Sequence, residues 1–201
     1  MKFSRIIANS GEWLSGDGPN RQIVVSSRVR LARNLSKKPF PGWAKKAERL
    51  EVVKLVKDAV EHLPEMSESY SENLETLSSL EKQVLVERHL ISREHAAKGV
   101  GSAVVMNAPQ SLSVMINEED HLRMQAICCG LQLDKVYEMI NRVDSELEEV
   151  LDFAFDSRLG YLTACPSNVG TGMRASAMLH LPGLVMSDQI NKIINSVNKI
   201  G

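Results

Sequence analysis

The chain has 201 residues, of which 43% are hydrophobic and 24% charged, and its formal net charge is −1. This is the composition of an ordinary globular protein, and the near-neutral charge argues against the broad basic surface of a nucleic-acid-binding module. Three cysteines without C-x-x-C spacing predict neither a disulfide framework nor a zinc site, and the lack of a long apolar run predicts a cytoplasmic protein without signal peptide or membrane span.

Predicted strands and helices alternate along the first ninety residues. Residues 1–22 are rich in glycine, serine and asparagine and are expected to form an irregular leader. Alternating and β-branched residues predict a strand over 23–30. Apolar residues at helical spacing predict one helix over 44–63, ended by Pro64, and a second over 71–89.

The remaining residues predict a hairpin followed by further strands and helices. Strand-like runs at 103–106 and 111–116 flank an Asn-Ala-Pro-Gln turn, as in an antiparallel hairpin. The strongest helical pattern is the apolar stripe over 133–155. The last predicted elements are strands over 161–164 and 175–181 and a helix with Ser187 as its N-cap. Together these elements predict an α+β fold, an antiparallel β-sheet flanked by α-helices.

The first cluster of chemically active residues lies on the first predicted strand, in SSRVRLAR (26–33). Residues two apart on a strand share a face, so Arg28 and Arg30 are expected to point the same way. Two neighbouring guanidinium groups can hold a polyphosphate through charge-assisted hydrogen bonds. A solvated strand face is the alternative interpretation of this segment.

The second cluster, NEEDHLR (117–123), follows an apolar strand and crowds three carboxylates, an imidazole and an arginine together. A carboxylate in this position can orient a cationic substrate and accept its proton, while Arg123 faces a phosphate. An acidic turn held by weak local salt bridges is the alternative interpretation.

The third cluster is CPSNVGTGMR (165–174). Gly170 and Gly172 allow the backbone to approach a ligand closely, and Cys165 at a strand end is a candidate thiolate. Arg174 adds a further cation that can face a phosphate. A strand–turn–strand connection with a buried cysteine is the alternative.

In this order and spacing, SSRVRLAR, NEEDHLR and CPSNVGTGMRAS resemble the signatures of the phosphagen (guanidino) kinases, from about Val24 to the end of the chain. The resemblance implies the glutamine-synthetase-like sheet of that family's catalytic domain. It also implies ATP-dependent, in-line phosphorylation of a guanidinium nitrogen, with Mg²⁺ held through the nucleotide phosphates and by no metal-ligating residue of the protein. The implied residue roles are ATP binding by Ser27, Arg28, Arg30, His89, Arg123 and Arg174, catalysis by Glu119 and Cys165, and weaker candidate contacts at Arg88, Glu118 and Asn168.

The start of the chain is most similar to one branch of that family. Creatine- and arginine-type kinases carry a helical domain before the SSRVR strand, whereas about two dozen residues precede it here, as in bacterial protein-arginine kinases. Arginine side chains in proteins are therefore the implied substrates. The implied partners are stress-response regulators and chaperone–protease components, with no nucleic acid and no membrane.

The expected domains are the leader (1–22) and a partial guanidino-kinase catalytic domain (23–201). The chain stops before a further arginine and a second carboxylate of the family pattern, so it is expected to be incomplete at the C-terminus, and an inactive fragment is one interpretation. Two other functions fit the same motifs. One is a kinase for a small free guanidino compound, and the other is a non-catalytic regulator that binds nucleotide or phosphoarginine.

Overall fold

The structure, a computed structural model, describes residues 1–199. Its strands and helices follow one another in this order: α1 (Phe3–Ala8), α2 (Glu12–Ser15), β1 (Val24–Arg33), α3 (Lys46–Glu61), β2 (Tyr70–Asn73), α4 (Ser79–Glu87), α5 (Arg93–Ala96), β3 (Ala103–Met106), β4 (Leu112–Ile116), β5 (Leu122–Cys129), α6 (Leu133–Glu148), β6 (Phe155–Asp156), β7 (Gly160–Tyr161), β8 (Met173–Leu179), α7 (Pro182–Met186) and α8 (Ile190–Val197). No helix among these residues is both long enough and apolar enough to cross a membrane.

Six strands form one antiparallel sheet in the order β2-β3-β4-β5-β1-β8, as the predicted fold class requires. Alternate residues of β1, such as Val29 and Leu31, point to one face and pack there in a core with α3 and α6. On the opposite face, β2, β3 and β4 are covered by α1 and α4 through a second core that includes Ile6 and Leu85. Over β5, β1 and β8 this second face carries arginines.

The two long helices confirm the predictions made from apolar spacing. α3 buries Val52, Val53, Val56 and Val60 against the sheet, and α6 buries a similar stripe. α6 ends at Glu148, earlier than predicted. The backbone beyond it bonds to the segment after β1, through Ser36 N to Asp152 O and Ala154 N to Asn34 O. These cross-chain bonds replace the helical ones.

The prediction of a helix over 71–89 was wrong in its first half. Tyr70 to Asn73 pair with β3, and Tyr70 is buried opposite Met106. The helix α4 begins only after Ser78, whose hydroxyl accepts from Glu81 N while the Glu81 carboxylate accepts from Ser78 N. This reciprocal cap fixes the helix start and leaves the preceding residues free to extend the sheet.

Residues 1–22 were expected to be irregular, yet they contain two helices attached to the domain. Ile6 of α1 is fully buried, and the Met1 ammonium donates to Ser69 O at 2.8 Å. Trp13 of α2 is 4% exposed. Short helices of this kind are stabilised by packing rather than by their own propensity, which explains why the local pattern missed them.

Near the C-terminus the structure departs from the prediction in two places. The strand expected over 161–164 overlaps the two-residue strand β7 only at Tyr161. β8 confirms the strand expected over 175–181, but it begins and ends two residues earlier. Ser187 caps no helix start, because its hydroxyl donates to Gly183 O at 2.8 Å at the end of α7. The last helix, α8, begins after Gln189.

Candidate functional site

Strand pairing brings four arginines onto one face of the sheet. Arg28 and Arg30 lie on β1, and Arg30 pairs directly with Arg174 of β8. Two residues further along β1, Ala32 pairs with Arg123 of β5. Because directly paired residues and residues two apart share a face, all four guanidinium groups project from the same side. Residues separated by about 150 positions in the sequence thus become neighbours.

The arginine cluster is electrostatically strained. Burial lowers the pKa of Arg30 to about 10, with further lowering by the charges of Arg28, Arg123 and Arg174. The pKa of Arg28 is also lowered, first by burial and then by Arg123 and Arg174. Because neighbouring positive charges lower the pKa of Arg28 and Arg30, bound negative charge would relieve this repulsion, and the cluster suits an anion.

Two cavities lie over this face, and both are lined by Arg30 and Arg123. The larger, about 280 Å³, contains Arg28 and reaches His89, whose ring stands edge-on to Trp13 at 5.1 Å. Burial, and then the nearby Arg28, lower the pKa of His89. The smaller, about 140 Å³, is lined by residues from all three clusters: Arg30, Glu119, Arg123, Cys165, Asn168 and Arg174 among them.

The two adjacent glutamates of NEEDHLR have different surroundings. Glu118 is 2% exposed, and its carboxylate accepts from Arg123 at 2.7 and 2.8 Å, from Ser92 Oγ at 2.6 Å and from Glu119 N at 3.1 Å. Burial acts to raise the pKa of Glu118, but the hydrogen bonds from Arg123 and Ser92 outweigh it and the net shift is downward. Glu118 is therefore a fixed anion that positions Arg123.

Glu119, in contrast, is exposed and borders the smaller cavity. Desolvation, followed by the charges of Asp120 and Glu118, raises its pKa. Glu119 does not lie on a strand, because β4 ends at Ile116. The chain reverses in a turn at Asn117, where φ is +56°, and β5 begins at Leu122. The turn places Glu119 and Arg123 on the wall of the same cavity.

Asp120 and His121 hold this turn in place through hydrogen bonds to neighbouring segments. The Asp120 carboxylate accepts from Asn34 Nδ2 and from Ala164 N, both at 2.6 Å, and so joins the turn to the Cys165 segment. His121 Nδ1 accepts from Leu35 N at 3.0 Å, which leaves Nε2 to carry the proton and donate to Pro39 O at 3.0 Å. Burial lowers the pKa of His121 to about 4, so the ring is neutral at pH 7.

The third cluster closes the cavity from the other side. Cys165 is partly buried, with its Sγ 2.9 Å from Ser167 Oγ. Gly172 has φ +63°, and a Cβ there would lie 2.5 Å from Ala32 O. Only glycine allows the loop to pack this closely on β1, which is what holds Cys165 and Asn168 beside Arg30.

Ser27, an expected ATP-binding residue, and Arg88, a weaker candidate, direct their side chains away from these cavities. Ser27 is fully buried on the face of the sheet that packs against α3 and α6. Its hydroxyl donates to Gly130 O at 2.7 Å and accepts from Gln132 N at 2.9 Å. Arg88 donates to the carbonyls of residues 6, 7 and 9 at the end of α1 and to Gln110 Oε1. Both side chains are thus engaged within the protein, and neither lines the cavities over the arginines.

Several residues of the site were missed from the sequence. Ser92 and Glu94 reach it from the start of α5, and Gln125 from the strand β5, which the sequence did not predict. The Ser-x-x-His pattern at Ser92 is a helix-start signal, since Ser92 Oγ accepts from His95 N, but it does not indicate chemistry. The fourth residue that was missed is Trp43, which lines a separate cleft together with Glu119.

Comparison with known proteins adds an independent finding. Residues 51–201 match the ATP:guanido phosphotransferase C-terminal catalytic domain. The chain is 48% identical over 193 residues to a protein-arginine kinase of Halothermothrix orenii (96% of this chain, 55% of that protein) and 47% identical over 193 residues to one of Pelotomaculum thermopropionicum (94% and 54%). A duplicated taurocyamine kinase from Schistosoma mansoni, solved with bound transition state analog components, superposes with a TM-score of 0.78 at 26% identity (88% of this chain, 26% of that one). The chain spans about half the length of the curated relatives it matches.

Proposed function

The chain belongs to the ATP:guanido phosphotransferase family, and from this premise we propose that it takes part in transferring the γ-phosphoryl group of ATP to arginine side chains of proteins. One observation carries the proposal. Arg28, Arg30, Arg123 and Arg174 project from one face of the sheet, and Glu119 borders the cavity they form. Phosphoryl transfer depends on such positioning and charge neutralisation far more than on covalent help from the protein.

In this proposal the arginines bind the phosphates of ATP, and the cavity that reaches His89 receives the rest of the nucleotide. The charges of these residues suit the phosphates of ATP. Arg28 and Arg30 are partly desolvated and repel one another, while the nearby Glu118 is already engaged by Arg123. Mg²⁺, bound through the phosphates, would supply additional charge neutralisation.

Glu119 is the proposed catalytic carboxylate. Its raised pKa makes it a better proton acceptor than an ordinary glutamate, and its negative charge suits a guanidinium. Glu118 is excluded from this role because its oxygens are occupied by Arg123, Ser92 and Glu119 N. Cys165 lines the same cavity, and we propose that its sulfur tunes the charge around the guanidinium rather than forming a covalent bond.

A protein substrate is favoured over a small guanidino compound by the relatives. Those at 47–48% identity are named protein-arginine kinases, whereas the taurocyamine kinase structure is 26% identical. By the same likeness we propose a cytoplasmic location, and stress-response regulators and chaperone–protease components as partners.

The test is incubation of the chain with γ-labelled ATP, Mg²⁺ and an arginine-rich protein such as protamine. The Halothermothrix orenii protein serves as the positive control and free arginine as the competing acceptor. Acid-labile label on arginine side chains, absent with Glu119→Gln, is the expected result. Labelling of free arginine alone would refute the protein substrate. ATP binding without transfer, while the control is active, would instead favour the non-catalytic regulator or an inactive fragment.

A further inference from the structure

Trp43 is exposed to a degree unusual for an indole. It is 89% exposed, whereas Trp13, the other tryptophan of the chain, is 4% exposed. Tryptophan is enriched at interfaces, where its large ring supplies contact area, so an exposed indole beside a candidate site is a candidate contact for another molecule.

The backbone that carries Trp43 is anchored to the site. Trp43 N and Ala44 N donate to Phe40 O at 2.8 and 3.0 Å, which closes a tight turn. Pro39 O accepts from His121 Nε2, and the Phe40 ring stands edge-on to the His121 ring at 6.3 Å. The backbone at Trp43 is therefore held against the same segment that carries Glu119.

Trp43 and Phe40 line an open cleft of about 620 Å³, together with Glu119 and Arg123. Glu119 and Arg123 also line the smaller cavity over the arginines, so the cleft adjoins that cavity. A volume in the range of about 300–1,000 Å³ is typical of sites for ligands much larger than a guanidinium. The cleft has room for the residues on either side of an arginine.

Charge in the cleft suits a cationic segment. The Glu119 carboxylate is joined by that of Glu94, while the charge of Glu118 is already balanced by Arg123. Lys98 adds a cation to the cleft lining, where it can meet a carbonyl or an acidic residue. The aromatic side chains can pack against apolar side chains, and the carboxylates can bind an arginine.

We propose that this cleft is the docking surface for the substrate polypeptide, with Trp43 packing against residues that flank the arginine presented to Glu119. The inference rests on the proposed function and deepens it, because it makes Trp43 a specificity-determining residue for peptides over free guanidino compounds. Trp43 lines neither of the two cavities over the arginines, so its loss should leave nucleotide binding unchanged.

The test uses a fluorescein-labelled nonapeptide with one central arginine between leucines, titrated by anisotropy into the ADP-bound chain. Trp43→Ala is expected to weaken peptide binding about tenfold, as for an aromatic interface anchor, with the ADP affinity unchanged. Leu80→Ala is the matched control, since Leu80 is 70% exposed and lines none of the three cavities. It should bind the peptide as the wild type does.

Tryptophan fluorescence provides a second measurement on the unmodified chain. Iodide should quench Trp43 and leave Trp13 shielded, and unlabelled peptide should protect Trp43 whereas free arginine should not. Unchanged peptide affinity in Trp43→Ala, no measurable peptide binding to the wild type, or equal protection by free arginine would each overturn the docking surface. Failure of the proposed function shows separately, as absence of arginine labelling in the transfer assay whatever residue occupies position 43.

Discussion

Replacing Glu118 with glutamine tests whether Glu118 and Glu119 have different roles. The Glu118 carboxylate is 2% exposed and receives two bonds from Arg123 and one from Ser92. Glutamine keeps the shape but removes the charge and replaces one acceptor oxygen by a donor that faces other donors. A hydrogen bond to a charged group contributes about 1.5–3 kcal/mol. Since the Arg123 side chain is 25% exposed and can turn towards water, we expect the lower part of that range.

The expected loss for Glu118→Gln is therefore about 2 kcal/mol in the free energy of unfolding. With a urea slope of about 2 kcal/mol per molar, the unfolding midpoint would fall by about 1 M. Glu119→Gln is the matched control, because Glu119 is exposed and its substitution should change the unfolding free energy by less than about 0.5 kcal/mol. In a transfer-competent form of the chain, Glu119→Gln should abolish phosphoryl transfer with ADP affinity nearly intact, since the lost interaction matters chiefly in the transition state.

Urea unfolding followed by circular dichroism at pH 7, with calorimetric titration of ADP, measures these quantities. If Glu119→Gln destabilised the fold as much as Glu118→Gln, the assignment of Glu118 as the residue that positions Arg123 would be wrong. If Glu119→Gln kept wild-type turnover in a transfer-competent chain while Glu118→Gln lost it, the catalytic assignment would be off by one residue.

Three other perturbations test separate parts of the structure. Arg123→Ala should weaken ATP binding by about 1.5–3 kcal/mol, measured by calorimetry, and unchanged affinity would remove Arg123 from the pocket. Asp144→Asn should lower the unfolding free energy by about 3 kcal/mol, because it leaves the buried Arg33 without its paired carboxylate, and a loss under about 1 kcal/mol would show that Arg33 is held mainly by its other contacts. His121 has its folded pKa lowered to about 4 from 6.5, so its contribution to stability is complete above pH 6.5 and is lost as the pH falls towards 4. Urea midpoints across that range should therefore fall more steeply for the wild type than for His121→Gln.

The amphipathic elements could be predicted because local spacing suffices for them. The stripes of α3 and α6 are periodic, and the alternation in β1 placed Arg28 and Arg30 on one face. The same alternation explains Arg33, which is an odd number of residues from Arg30. It turns to the other face, where it pairs with Asp144 and lies 3.5 Å from the Tyr161 ring centroid.

The family and its motifs could likewise be read from residue order, since SSRVRLAR, NEEDHLR and CPSNVGTGMRAS keep their identity without any knowledge of the fold. The sequence alone could not show which contacts each polar side chain makes in the folded protein. Ser27 stands beside two site arginines in sequence, yet it faces the helices and caps the loop after β5. Arg88 adjoins His89, yet it binds the end of α1.

Only the tertiary structure decided how the clusters meet. In the sequence, β5 is an apolar run after a loop, and nothing indicates which strand it pairs with. In the structure it pairs with β1, and the register of that pairing places Arg123 beside Arg30. The distinct roles of Glu118 and Glu119 depend on Ser92, a residue 26 positions away from Glu118. Local spacing fixes which way a side chain leaves its own strand or helix. Its partner, its burial and therefore its charge depend on strand pairing and packing across the whole chain, which no local pattern contains.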